Sequence, residues 1–152
     1  MIQRARPVLS LAVFTAGLAT LVSIPSIALA DLSTSATVQF GNPNAPSTEQ
    51  NCTQREESCG NAFHKMIPGT VSIDGPGTVT FQLNGRHQVA VYNPGTNPNT
   101  IQVNEPTNRK EIFPAQTGGS VKVTFNEPGK YLVICNLAGH FQQNMWGWAD
   151  VS

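Results

Sequence analysis

The sequence predicts an all-β domain folded as a Greek-key β-sandwich of about eight strands. Short runs rich in β-branched and aromatic residues recur along the chain, and clusters of Gly, Pro and Asn separate them. After residue 30 the apolar residues show no convincing helical period. The predicted strands are residues 36–40, 70–73, 78–83, 87–92, 100–103, 120–125, 130–135 and 145–151.

The first thirty residues have the pattern of a secretory signal peptide. Arg4 and Arg6 precede a long apolar run that ends in Ala-Leu-Ala at Ala30. A retained membrane anchor is the alternative, because the run approaches the roughly 20 residues that span a bilayer. We expect residues 1–30 to be removed during export and residues 31–152 to form the mature domain. Its destination is a periplasm, a thylakoid lumen or the outside of the cell.

A long irregular segment, residues 41–68, follows the first predicted strand. It shows no strand alternation and leaves room for a short helix over residues 49–63. Cys52 and Cys59 lie within it, and two cysteines in an oxidising compartment are expected to form a disulfide. Free thiols or a separate metal site are the alternatives.

Turn-forming residues define the strand boundaries in the middle of the chain. They are Asp-Gly-Pro-Gly at residues 74–77, Asn-Gly at residues 84–85 and Asn-Pro-Gly at residues 93–95. Gly and Asn tolerate positive φ and Pro presets φ for a turn, so each cluster suits a tight connection.

The charge of the mature part is nearly balanced. Without Arg4 and Arg6, seven of the nine basic residues remain beside nine acidic ones, which gives a formal net charge near −2. This balance does not favour nucleic acid or anionic membranes as partners.

The sequence also contains no nucleophile elbow and no phosphate-cradling loop. We therefore expect a protein that is not an enzyme and that binds no membrane after leader cleavage. We also expect it to be a monomer.

Cys135, His140 and Met145 follow a predicted strand at the spacing C-x4-H-x4-M. Four intervening residues are enough to extend and fold back, so one loop can present all three side chains at one point. Soft sulfur ligands together with imidazole select copper, and two histidines, one cysteine and a weak axial methionine form the blue-copper arrangement. Each residue alone is more typical of core packing or the protein surface. Their joint spacing predicts one copper ion.

The loop supplies one histidine, so a second ligand must come from elsewhere. His87 is the better candidate, because alternation along residues 87–92 places it on the same, inward face as Val89 and Val91. His64 is the rival, and it lies in the irregular segment where no predicted strand fixes its direction.

These residues resemble the cupredoxins, the blue-copper family that includes plastocyanin, azurin, rusticyanin and the phytocyanins. The similarity covers most of residues 70–151, through residues 77–81, 86–89 and 128–131 to the ligand loop and the last strand. The loop is most similar to that of phytocyanins, which share its Cys-Asn start, its Gly-His pair and its closing methionine. The resemblance implies a Greek-key sandwich and one type 1 copper that alternates between Cu(I) and Cu(II). It also implies one-electron exchange between a donor and an acceptor redox protein.

The chain departs from the family pattern at three places. Gln88 stands where relatives have an asparagine that helps to tie the ligand loop, so the surrounding hydrogen bonds are expected to differ. Phe141 stands where phytocyanins have a disulfide-forming cysteine. The irregular segment has no clear counterpart.

The resemblance assigns the copper ligands to His87, Cys135, His140 and Met145, with Met145 axial. An apolar patch of Ala138, Gly139 and Phe141 around His140 is the expected exit for electrons. With three histidines in the whole chain, a second copper centre of the multicopper-oxidase kind is not expected. Copper storage or delivery, and a structural sandwich with a vestigial site, are the alternatives to electron transfer.

Overall fold

The computed structural model describes residues 33–45 and 62–152, and every regular element within them is a β-strand. No helix that could cross a bilayer is found among these residues. The predicted leader, the Cys52–Cys59 disulfide and most of the predicted helix over residues 49–63 lie outside them. The strands in chain order are β1 Ser35–Phe40, β2 Met66–Ile67, β3 Thr70–Ile73, β4 Gly77–Leu83, β5 Arg86–His87, β6 Val89–Tyr92, β7 Arg109–Ile112, β8 Gln116–Thr117, β9 Ser120–Phe125, β10 Gly129–Cys135 and β11 Trp146–Val151.

Two mixed sheets build the sandwich. One has the strand order β2-β1-β4-β9 and the other the order β3-β11-β10-β6-β7, while β5 and β8 form a separate pair. Strands β1 and β4 are parallel, as are β3 and β11, and the other pairs are antiparallel. The chain crosses repeatedly between the sheets, as the predicted Greek-key sandwich requires.

The core lies between the two sheets. Along β9 buried and exposed residues alternate strictly, so that Val121, Val123 and Phe125 face inward. Strand β10 is buried on both faces: Val133 and Cys135 join the main core, whereas Leu132 and Ile134 join a second cluster. The second cluster is covered by half-buried side chains of Ile101, Phe141, Trp146 and Trp148.

The predicted strand at residues 100–103 is wrong. Residues 96–108 form turns instead, in which Asn108 has a φ of 59° and the Tyr92 hydroxyl donates to the Glu105 carbonyl over 2.8 Å. The strand that pairs with β6 is β7, of sequence Arg-Lys-Glu-Ile. It is an edge strand with little buried surface, so its sequence carries no apolar alternation to reveal it.

The predicted strand over residues 87–92 is interrupted at Gln88. His87 pairs with Gln116 in the small β5–β8 ladder, whereas Val89 pairs with Cys135 in the main sheet. The break leaves the Gln88 backbone available to the ligand loop, and its carbonyl accepts a 2.7 Å hydrogen bond from the Asn136 N–H. His87 is thereby placed beside the end of β10.

Candidate metal centre

The structure brings all four predicted site residues to one buried end of the sandwich. Cys135 is the last residue of β10, His87 is the last residue of β5, and the other two lie in the loop between β10 and β11. His87, Cys135 and Met145 are fully buried, and His140 is 3 % exposed.

Three donor atoms form a compact triangle. The Nδ1 atoms of His87 and His140 are 3.3 Å apart, and the Cys135 Sγ atom lies 3.8 Å from the first and 3.3 Å from the second. The point equidistant from all three is about 2.0 Å from each, a length typical of bonds from transition metals to imidazole nitrogen and only slightly short for thiolate sulfur. The donor set fits a copper ion, because thiolate and imidazole are both copper ligands.

A backbone carbonyl fixes the orientation of the His87 ring. His87 Nε2 lies 2.7 Å from the carbonyl oxygen of Asn84, so Nε2 carries the proton and donates. The lone pair is then on Nδ1, the atom that faces Cys135 and His140. Histidines that bind metals commonly donate their second N–H to such an acceptor.

Backbone hydrogen bonds close the ligand loop upon itself. The Cys135 N–H donates to the Met145 carbonyl over 2.9 Å, and the Met145 N–H donates to the His140 carbonyl over 3.0 Å. The residues at both ends of the C-x4-H-x4-M spacing therefore meet, as the sequence predicts. This closure fixes the backbone of Met145 beside that of Cys135.

The side chain of Gln88 ties the ligand loop to a neighbouring segment. Its side-chain oxygen accepts a 3.0 Å hydrogen bond from the Asn136 amide, and its side-chain nitrogen donates to the Phe113 carbonyl over 3.0 Å. The Gln88 backbone N–H points to the Cys135 sulfur at 3.5 Å. Asn136 also exchanges hydrogen bonds with Asn104. Gln88 thus links the loop to the segment that carries Phe113, and Asn136 links it to the segment that carries Asn104.

Burial keeps the histidines of the site neutral. Loss of water around the ring lowers the pKa of His87 to about 4 and the pKa of His140 to about 3, from an ordinary value of 6.5. Burial also lowers the pKa of His64. Neutral imidazole is the form that binds metals, so near neutral pH the rings need release no proton before coordination.

His64, the weaker of the two histidine candidates in the sequence, also reaches this site. It is fully buried, and its ring centroid lies 4.0 Å from that of His140 and 6.3 Å from that of His87. The sequence holds only a weak signal for this position: His64 lies between the apolar residues Phe63 and Met66. Both of these residues are buried in the structure.

No protein-family model and no curated protein sequence matches this chain. Solved structures do match. Auracyanin from Roseiflexus castenholzii aligns with a TM-score of 0.51 at 18% identity, covering 80% of this chain and 98% of its own. Plastocyanin from Dryopteris crassirhizoma aligns at 0.46 and 19% identity, over 76% and 99% of the two chains. A purple cupredoxin from Nitrosopumilus maritimus aligns at 0.42 and 18% identity, over 77% and 99%.

The match to auracyanin, which is itself a cupredoxin, extends over nearly the whole of that protein. It agrees with the two mixed sheets of this chain. This chain therefore has the cupredoxin fold.

Proposed function

We propose that the chain is an exported type 1 copper protein that carries single electrons between two redox proteins. His87, Cys135 and His140 hold the copper, and Met145 is its axial ligand. The observation that carries the proposal is the buried triangle of one sulfur and two Nδ1 atoms, with edges of 3.3 to 3.8 Å. The cupredoxin fold supports it, and so do the positions of His87 and Cys135 at the ends of β5 and β10.

Bound copper supplies one-electron chemistry by alternating between Cu(I) and Cu(II). The contribution of the protein is to hold the donors in nearly one arrangement. His87 is fixed by the Asn84 carbonyl, and Cys135 is fixed by its place in β10 and by its backbone bond to Met145. Full burial of the side chains of His87, Cys135 and Met145 excludes water from their donor atoms. A fixed and dry site changes little with oxidation state, which favours fast electron exchange.

Electrons enter and leave through the edge of His140 in this proposal. His140 is the one residue of the four that keeps any exposure, and Ala138 beside it is exposed. Phe141 is half-buried because it packs on the second cluster, which is formed by residues of β6 and β10. It therefore contributes only part of its ring to the apolar patch predicted around His140. The donor and acceptor proteins would dock at this end of the sandwich, on a monomer.

Export is a further part of the proposal. Residues 1–30 act as a cleaved leader, and residues 31–152 form the mature domain outside the cytosol. The proposal rests on the basic start, the apolar run and the Ala-Leu-Ala end of the leader. Mass spectrometry of the protein recovered from an expression host tests it. A mature N-terminus at Asp31 supports the proposal, and an uncleaved chain contradicts it.

Titration of the mature protein with Cu(II) tests the copper assignment. We expect one equivalent to produce an intense blue thiolate-to-copper absorption band, and the band to disappear and return on reduction and reoxidation. Cys135→Ser removes the thiolate and should remove the blue colour. Tight Cu(I) binding without reversible oxidation would instead indicate copper delivery. A protein that stays colourless with Cu(II) would indicate a structural sandwich.

A further inference from the structure

His64 is a buried histidine without a hydrogen-bond partner. Its side chain has no exposure, and neither Nδ1 nor Nε2 makes a hydrogen bond. A buried polar group left unsatisfied costs about 1–3 kcal/mol, so such groups in native proteins call for an explanation. A bound metal ion is one explanation, because a neutral imidazole satisfies its lone pair by coordination.

The surroundings of His64 point to a metal. One ring nitrogen from each of His64, His87 and His140 lies within 4.8 Å of the others. Two nitrogens that bind one ion at about 2.0–2.1 Å are about 3.4 Å apart in a tetrahedral site and at most about 4.2 Å apart when they lie opposite each other. Closing a pair of this cluster that is 4.8 Å apart on one ion therefore requires about 0.6 to 1.4 Å of movement. The three-histidine cluster and the Cys135 triangle share His87 and His140. Both donor sets therefore lie around the same two rings.

Backbone hydrogen bonds hold the short segment that carries His64. The Asn42 N–H donates to the Phe63 carbonyl over 2.9 Å, and the Gly41 N–H donates to the Lys65 carbonyl over 2.8 Å. The Phe63 ring packs edge-on against His64, with centroids 5.4 Å apart. His64 is thus attached from both sides to the end of β1.

We propose that His64 is a third histidine ligand of the copper site, bound together with His87, His140 and Cys135. This inference rests on the proposed copper function and adds to it a strong nitrogen donor. A further imidazole favours Cu(II) over Cu(I), which prefers soft sulfur ligands, and it weakens the copper–thiolate bond. The reduction potential is therefore lower than in a two-histidine site, and part of the thiolate absorption moves from the orange-red towards the violet.

Counting the coordinated histidines in the wild-type protein tests the inference without any substitution. The chain has three histidines, so labelling histidine with ¹⁵N labels each candidate imidazole ligand and no other residue. Pulsed EPR of the Cu(II) protein should then detect three coordinated imidazoles. Two imidazoles with a blue band would overturn the role of His64 and leave the proposed function intact. No thiolate band at all would overturn both.

Zinc binding by a matched pair of variants gives a second readout. His64→Phe keeps a ring of similar size and removes both nitrogens, whereas Met66→Leu is a volume-conserving change of a buried neighbour. Because Zn²⁺ takes four nitrogen or sulfur ligands in closed sites, His64→Phe should weaken its binding by more than about tenfold, while Met66→Leu should not.

Thermal unfolding of the metal-free variants separates a ligand from a packing residue. His64→Phe removes two unsatisfied polar atoms from the interior, so the metal-free variant should be at least as stable as the wild type. A metal-free variant that is clearly less stable, with unchanged zinc affinity, would assign His64 to packing and overturn the proposal.

Discussion

The carbonyl that orients His87 can be displaced by a single methyl group at residue 41. Gly41 has a φ of +96°, and a Cβ added there would overlap the Asn84 carbonyl oxygen and lie 2.7 Å from His87 Nε2. Gly41→Ala must therefore displace the Asn84 carbonyl or the His87 ring and break the 2.7 Å hydrogen bond between them. We expect lower stability and weaker copper binding together.

Gly95→Ala is the matched control for the loss of stability expected in Gly41→Ala. Gly95 has a φ of +85°, but a Cβ there would meet no atom within 4 Å. Both variants carry the backbone strain of about 1–2 kcal/mol for an alanine at positive φ. Only Gly41→Ala adds the overlap and the lost hydrogen bond, together about 2 kcal/mol or more. For a domain of this size that difference corresponds to roughly 8 °C in the melting temperature.

Thermal unfolding and copper titration of the two variants measure these effects. Gly41→Ala should melt clearly below Gly95→Ala, and its copper affinity should fall by about 10- to 100-fold, as when a metal-bound histidine loses its outer hydrogen bond. Gly95→Ala should bind copper like the wild type. Equal melting temperatures and equal affinities would show that the Asn84 carbonyl does not position His87.

Three further changes test other parts of the site. Gln88→Leu removes the side-chain bond to Asn136 and should lower the free energy of unfolding by about 1–3 kcal/mol in a urea titration; an unchanged value would show that Gln88 does not tie the loop. In the metal-free protein, burial lowers the pKa of His87 to about 4 and that of His140 to about 3, so the unfolded chain binds more protons below the ordinary value of 6.5. The stability present above that pH is then lost as the pH falls towards 4 and 3. The free energy of unfolding should fall by up to about 1.4 kcal/mol per pH unit for each histidine. A urea midpoint that does not change with pH would contradict this. Met145→Gln should lower the reduction potential measured by voltammetry, and an unchanged potential would show that Met145 is not axial.

Much of the fold and the ligand loop could be predicted because they depend on local patterns. Period-two alternation identifies β9, and a continuous apolar run identifies β10. The five-residue spacing of Cys135, His140 and Met145 suits one folded loop. The inward direction of His87 follows from the same alternation. In the structure it lies 3.8 Å from the Cys135 sulfur, measured from Nδ1.

The features that could not be predicted depend on contacts between distant segments. The direction of His64 is set by backbone bonds to Gly41 and Asn42, which no pattern within residues 41–68 encodes. The edge strand β7 is polar and lacks alternation, so its place is set by pairing with β6. The break at Gln88 likewise exists because its backbone bonds to the ligand loop.

A crystal structure of the copper-loaded mature protein would show directly which atoms hold the metal. We expect a single copper atom bonded to the sulfur of Cys135 and to Nδ1, not Nε2, of both His87 and His140. Copper bound elsewhere, or a His87 ring turned so that Nε2 faces the sulfur, would rule out the proposed copper site.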